Sequence, residues 1–157
     1  MPEKAVSNTG PIIHLLEIDQ LRLLNVLEEI FIPQKVIEEA GCIILPLKNI
    51  KIIFINETEI KETKEILKEF ILHPGELHAL HLARKLNVLF LTDDLEARDA
   101  AISQNIEVHG TLGVVILAYK RGLIDKEEAK KSIQQLYWNS SLFLTPFIVE
   151  EALRLLE

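Results

Sequence analysis

The chain has 157 residues, 48% of them hydrophobic and 26% charged, with a formal charge of −7. Those values suit a soluble globular protein with a real core and argue against a general nucleic-acid coat, which carries a broad basic surface. A lone Cys42 excludes an intramolecular disulfide framework; the chain opens without a signal-peptide pattern and has no uncharged apolar run of the about 18 residues that span a bilayer, so a cytoplasmic protein away from membranes is expected.

Lys4–Asn8 reads as a short strand ended by Thr9-Gly10, and Pro11 is placed for a first helical turn, where its missing N–H costs nothing. Ile12, Ile13, Leu15, Leu16 and Ile18 then make a mostly apolar helix, and Leu21, Leu24 and Leu27 mark one face of a second. Ile30–Ile32 is a short buried strand, followed by a helix that Pro33 starts and Gly41 ends. Cys42–Leu47 is ambiguous, and Lys51–Ile55 has the composition of a strand or an edge arm. Glu57–Ile71 has a helical period and many charges, and Pro74-Gly75 breaks the chain before a helix from Glu76 to about Leu86.

The stretch Val88–Arg98 organises the rest. An apolar run stops at Asp93 and Asp94, and a helix follows from Leu95 to about Ser103. Glu107–His109 is a last short strand; Gly110–Gly113 leads into an apolar helix ending near Gly122, and two further helices start near Asp125 and Pro146. Strands alternating with helices predict one domain over residues 1–157 with a parallel sheet and helices on both faces.

In such a sheet the carboxyl ends of the strands share one edge, where ligands bind. Asn8, Asp93 and Asp94 follow strands, while Glu39 and Glu76 lie on helices that begin at that edge. A cluster of Glu39, Glu76, Asp93 and Asp94 is within geometric reach. Two carboxylates about 4 Å apart repel by about 4 kcal/mol at an effective dielectric of about 20, a penalty that a divalent cation removes. Oxygen ligands suit Mg²⁺ or Mn²⁺, and such an ion activates water and stabilises charge on phosphate, so metal-assisted phosphodiester hydrolysis is the chemistry indicated.

Each member has a plainer reading. Asp93 or Asp94 is the N-cap of the next helix, Glu76 favours the positive end of its helix dipole, and Glu39 is a solvated helix residue. Arg98, four residues after Asp94, pairs with it or binds phosphate, and Thr111 either starts its helix or turns its hydroxyl to the site. His73, His78 and His81 lack the HExxH spacing of a zinc site.

Five segments in order then resemble the PIN-domain nucleases, and most closely the prokaryotic branch related to VapC-type toxins: Val-Ser-Asn-Thr-Gly-Pro-Ile-Ile (6–13), Val-Ile-Glu-Glu-Ala (36–40), Gly-Glu-Leu-His-Ala-Leu-His-Leu-Ala (75–83), Leu-Thr-Asp-Asp-Leu-Glu-Ala-Arg (91–98) and Gly-Thr-Leu-Gly-Val (110–114). The resemblance runs from about residue 4 to residue 124. It implies a three-layer α/β/α sandwich with a central parallel sheet, Mg²⁺- or Mn²⁺-dependent cleavage of an RNA substrate, a homodimer, and a small antitoxin protein as partner. By position it puts the family's acidic residues at Asn8, Glu39, Glu76 and Asp94, with Asp93 an extra neighbour.

Asn8 departs from the pattern, which usually has Asp there. As a neutral ligand it takes no proton from water and gives the metal one negative charge fewer. Glu39, Glu76 and Asp94 are therefore expected to hold the ion, directly or through water, with Asn8 as a polar ligand or orienter and Asp93 compensating in part. Thr9, Arg98 and Thr111 are expected to steady the substrate. The rival reading is a PIN-fold binding or regulatory module with a weak or inactive centre. A phospho-accepting receiver domain fits poorly, because its acidic pair follows the first strand, where Asn8 stands alone here.

Overall fold

A computed structural model describes residues 3–41 and 46–157. Its five strands are all parallel: β1 (Lys4–Ser7), β2 (Glu29–Pro33), β3 (Ile50–Ile53), β4 (Leu89–Leu91) and β5 (Val108–His109), in the spatial order β3-β2-β1-β4-β5. The central strands are apolar because both of their faces are covered. Ala5 and Val6 of β1 and all three residues of β4 are buried, whereas Lys51 and Ile52 on the edge strand β3 are exposed. From β1 the chain grows outward through β2 to β3, then returns to lay β4 on the other side of β1. The order of strands therefore reverses between β1 and β4, the place where an open α/β sheet forms its crevice.

Helices cover both faces, giving the three-layer α/β/α sandwich. On one side α4 (Pro74–Leu86) packs over β1, β2 and β4, flanked by α2 (Gln34–Ala40), α3 (Lys61–Ile66) and α5 (Leu95–Ser103). On the other, α1 (Thr9–Glu17), a 3₁₀ turn over Leu21–Val26, α6 (Thr111–Lys120), α7 (Lys126–Asn139) and α8 (Pro146–Arg154) pack together. Leu89 and Leu91 line a cavity with Val114 and Leu117 of α6, and strand alternation turns Phe90 to the α4 side. The buried apolar residues form one cluster through the sheet. Among the described residues no helix is long and apolar enough to cross a membrane.

Four of the described α-helices begin where a cap or a proline puts the start. Asp94, Asp125 and Thr145 each accept the N–H three residues on, and Pro74 and Pro146 take the first helical position. Two expectations differ. The expected helix over Leu21–Leu27 is a 3₁₀ turn, closed by Leu27 N–H to the Leu24 carbonyl. The charged run Glu57–Ile71 contributes only the six-residue α3, because Asn56 Oδ1 accepts from both the N–H and the hydroxyl of Thr58 at 2.9 and 2.5 Å, a local turn that competes with helix. Of the ambiguous segment Cys42–Leu47, residues 42–45 lie outside the described residues, and 46–47 take no regular structure.

Candidate acidic site at the sheet crevice

The crevice is built where the chain leaving β1 crosses to the end of β4. Asn8 follows β1 and donates its N–H to the Leu91 carbonyl of β4 at 2.9 Å, which carries Asn8 to the end of the neighbouring strand. Its Nδ2 donates to Thr92 Oγ1 at 3.3 Å, and the same oxygen accepts the Asp94 N–H at 3.1 Å. Thr92, fully buried, thus fixes both Asn8 and the Asp94 backbone. Asn8 stands at the N-cap of α1 without capping it, so its Oδ1 accepts no hydrogen bond among the described residues.

Asp94 caps α5, its Oδ2 accepting the Ala97 N–H at 2.8 Å. Its carboxyl also lies within hydrogen-bonding reach of Glu76, which is 6% exposed in the first turn of α4. Glu76 in turn accepts the His73 N–H at 2.8 Å. Burial pushes the Glu76 carboxyl above the usual range; the His73 N–H opposes this, and the adjacent Asp94 adds to the rise. Glu39 reaches the same helix end from α2, its Oε1 accepting the Gly75 N–H at 2.5 Å. A Cβ on Gly75 would stand 2.7 Å from Glu39 Oε2, so only glycine lets that carboxylate approach.

The structure therefore gathers Glu39, Glu76 and Asp94 around the start of α4, where the orphan N–H groups and the helix dipole favour negative charge. The three are not one ligand set: among the described residues, no group of three or more His, Cys, Asp or Glu side chains is arranged to hold a metal ion. The close pair is Glu76 with Asp94, and Glu39 spends one oxygen on Gly75.

Asp93 does not share that side. Its carboxylate lies 2.6 Å from His14 Nδ1 of α1 and accepts the Thr111 N–H at 2.8 Å and the Thr111 hydroxyl at 2.5 Å. Burial alone would raise this carboxyl; the bonds from His14 and Thr111 outweigh burial and hold it below the ordinary value. Asp93 is thus a tie between α1 and α6, and the structure does not bring it to Glu76. Thr111, expected to steady the substrate, is fully buried and its hydroxyl is bonded to Asp93. Neither His14 nor Thr92 was marked by the sequence. The available signal was that neighbouring side chains leaving a strand point to opposite faces, so Asp93 and Asp94 could not both reach Glu76.

Thr9 is half-buried at the start of α1. Arg98 makes no hydrogen bond or ion pair among the described residues, so the expected pairing with Asp94 does not form. It lies beside Gly110 instead, where a Cβ would stand 3.1 Å from its Nη2 and 2.6 Å from Asp93 Oδ1. Gly110→Ala is accordingly expected to displace Asp93 from Thr111 and cost about 2 kcal/mol, read as a lower urea midpoint at unchanged slope.

The donor set fits a hard divalent cation better than zinc: two adjoining carboxylates and a free amide oxygen, with no thiolate among the described residues. The Glu76 carboxyl is raised chiefly by burial and further by Asp94, and a cation beside it would favour its charged form.

A parallel α/β sandwich with an acidic pair at its strand-order reversal defines the class of domain. A family model described as a PIN domain matches residues 4–157, and the chain belongs to that family. PIN domains are generally nucleases that use divalent metal ions. No curated protein matches the sequence.

Proposed function

We propose that this chain is a Mg²⁺- or Mn²⁺-dependent endoribonuclease related to the VapC-type toxins, acting in the cytoplasm as the toxin of a type II toxin–antitoxin pair. The observation that carries the reading is the buried Glu76 carboxyl set against that of Asp94. Glu76, Asp94 and the Asn8 Oδ1 would hold the ion, with Glu39 reaching it through water and Asp93 acting only as the tie behind it. When bound, the ion neutralises phosphate charge and makes a water acidic enough to attack phosphorus at neutral pH. Asn8 takes no proton, so that task falls to the Glu76–Asp94 pair. Thr9, at the start of α1, borders the path of the substrate.

A homodimer and a small antitoxin protein belong to the same proposal. Exposed Ile13 and Leu16 on α1, and Phe147 and Leu155 at α8, offer apolar surface to such partners. The rival, a PIN-fold module that binds without cutting, is favoured by the neutral Asn8 and the lack of a three-acid group among the described residues. A mixed single-stranded RNA panel with Mn²⁺ separates the two: cleavage by the wild type and not by Asp94→Asn supports the nuclease, and equal cleavage by both, or by neither, removes it.

Glu76→Gln gives a second expected outcome. Glutamine keeps an acceptor for the His73 N–H while removing the repulsion, so the metal-free variant should melt about 2–4 °C higher, the equivalent of about 1 kcal/mol in a chain of this size. The sign follows from linkage. A carboxyl raised above its unfolded value of about 4.3 penalises the fold fully above its folded pKa, and the penalty disappears as pH falls toward the unfolded value. The melting difference should therefore close as pH approaches about 4, and Mn²⁺ should stabilise the wild type only.

A further inference from the structure

The loop between α7 and α8 presents an aromatic ring over a groove that reaches Asp93. It is pinned at one end by Ser141, whose N–H and hydroxyl both donate to Glu17 Oε1 at 3.0 and 2.8 Å. At the other end Thr145 Oγ1 accepts the Ile148 N–H at 3.2 Å. Between these anchors Leu142 and Leu144 pack against the core, and Phe143 stands outward with 86% of its surface exposed. A phenylalanine held so far into water by a fixed loop gains nothing for folding.

Below Phe143 a groove of about 430 Å³ runs between this loop and the α5 and α6 starts, lined also by Arg98, Leu112 and Ile148, and it ends at Asp93 on the α1–α6 side of the crevice, one residue before Asp94. Arg98 brings a half-buried guanidinium into the groove without an anionic partner among the described residues. A guanidinium in that state suits a phosphate, which its planar fork binds in two places. A ring presented to solvent suits the face of an unpaired base. A wholly apolar peptide would leave Arg98 unmatched.

We propose that this groove is a subsite for one nucleotide of single-stranded RNA flanking the cleaved bond, its base stacked on Phe143 and its phosphate on Arg98. The proposal rests on the reading of Glu76 and Asp94 as an RNA-cleaving centre, and it makes Phe143 and Arg98 the residues that set where the strand enters.

The test uses the full chain and an RNA oligomer that the wild type cleaves, with an abasic sugar placed in turn at each position around the cut. One abasic position should raise the wild-type KM about tenfold, while kcat changes little. Phe143→Ala should raise KM on the intact oligomer by a similar factor and show no further loss at that abasic position. Arg98→Gln should lower the slope of log KM against log salt by about one. Trp138→Ala, an exposed aromatic outside the groove, should leave KM as it is. A Phe143→Ala protein with the wild-type KM and the full abasic penalty overturns the subsite while Asp94→Asn still tests the nuclease. If the wild type cuts no RNA, fluorescence anisotropy with the same oligomer decides. Binding weakened by Phe143→Ala keeps the subsite without the nuclease, and no binding overturns both. Unchanged RNA affinity with lost self-association in Phe143→Ala reassigns the groove to a protein contact and also overturns the proposal.

Discussion

Asp94→Asn is expected to lower Mn²⁺-dependent RNA cleavage by about 10²–10³-fold while leaving the fold intact. The loss follows from removing one of two adjoining carboxylates, which takes with it several kcal/mol of cation-borne charge stabilisation, each 1.4 kcal/mol of it worth about tenfold in rate. The fold should survive because Asp94 also caps α5 through the Ala97 N–H, and asparagine caps a helix about as well as aspartate. Asp94→Ala would confound the two roles, since losing the cap alone costs about 1 kcal/mol. Cleavage assays paired with thermal melts separate them: lost activity with a melting point within about 2 °C of wild type is the expected pair of results. Lost activity with a large drop in melting point would show a structural role only.

The largest effect on stability is expected at the neighbouring position. Asp93→Ala should cost about 3–5 kcal/mol and lower the melting point by about 10 °C, because it leaves a half-buried imidazole and two buried Thr111 donors without their acceptor. The carboxyl of Asp93 is held below its ordinary value, so the sign is opposite to that of Glu76. Its contribution is fully present above the unfolded value of about 3.9 and is lost as pH falls through the lower folded one. Urea unfolding across the acid range should therefore show a flatter acid limb for Asp93→Ala. An Asp93→Ala protein as stable as wild type would show that the tie between α1 and α6 is dispensable.

Much of the fold was legible because local and global signals agree. Apolar runs end at Asn8, Pro33 and Asp93, and the helices after Asp125 and Thr145 carry their own N-caps. The parallel sheet follows from strands that alternate with helices. Helical period failed at Glu57–Ile71, where the carboxylates of Glu57 and Glu59 bind His78 and His81 on α4 and the Ile71 N–H binds Glu96. Those partners lie about twenty residues away in sequence, beyond what periodicity registers. The acids near the crevice could be placed by topology, since helices after strands start at one edge. Their orientations could not: whether Asp93 faces Glu76 or His14 depends on which layer each side chain leaves the strand toward, and His14 is 79 residues distant.

On the proposed nuclease reading, the Glu76–Asp94 pair, completed by Asn8, seats a divalent cation. Isothermal titration of the metal-free protein with Mn²⁺ at neutral pH tests it most directly. Micromolar binding by the wild type that disappears in Glu76→Gln is the expected result; no heat from the wild type, or the same affinity in both proteins, would contradict it.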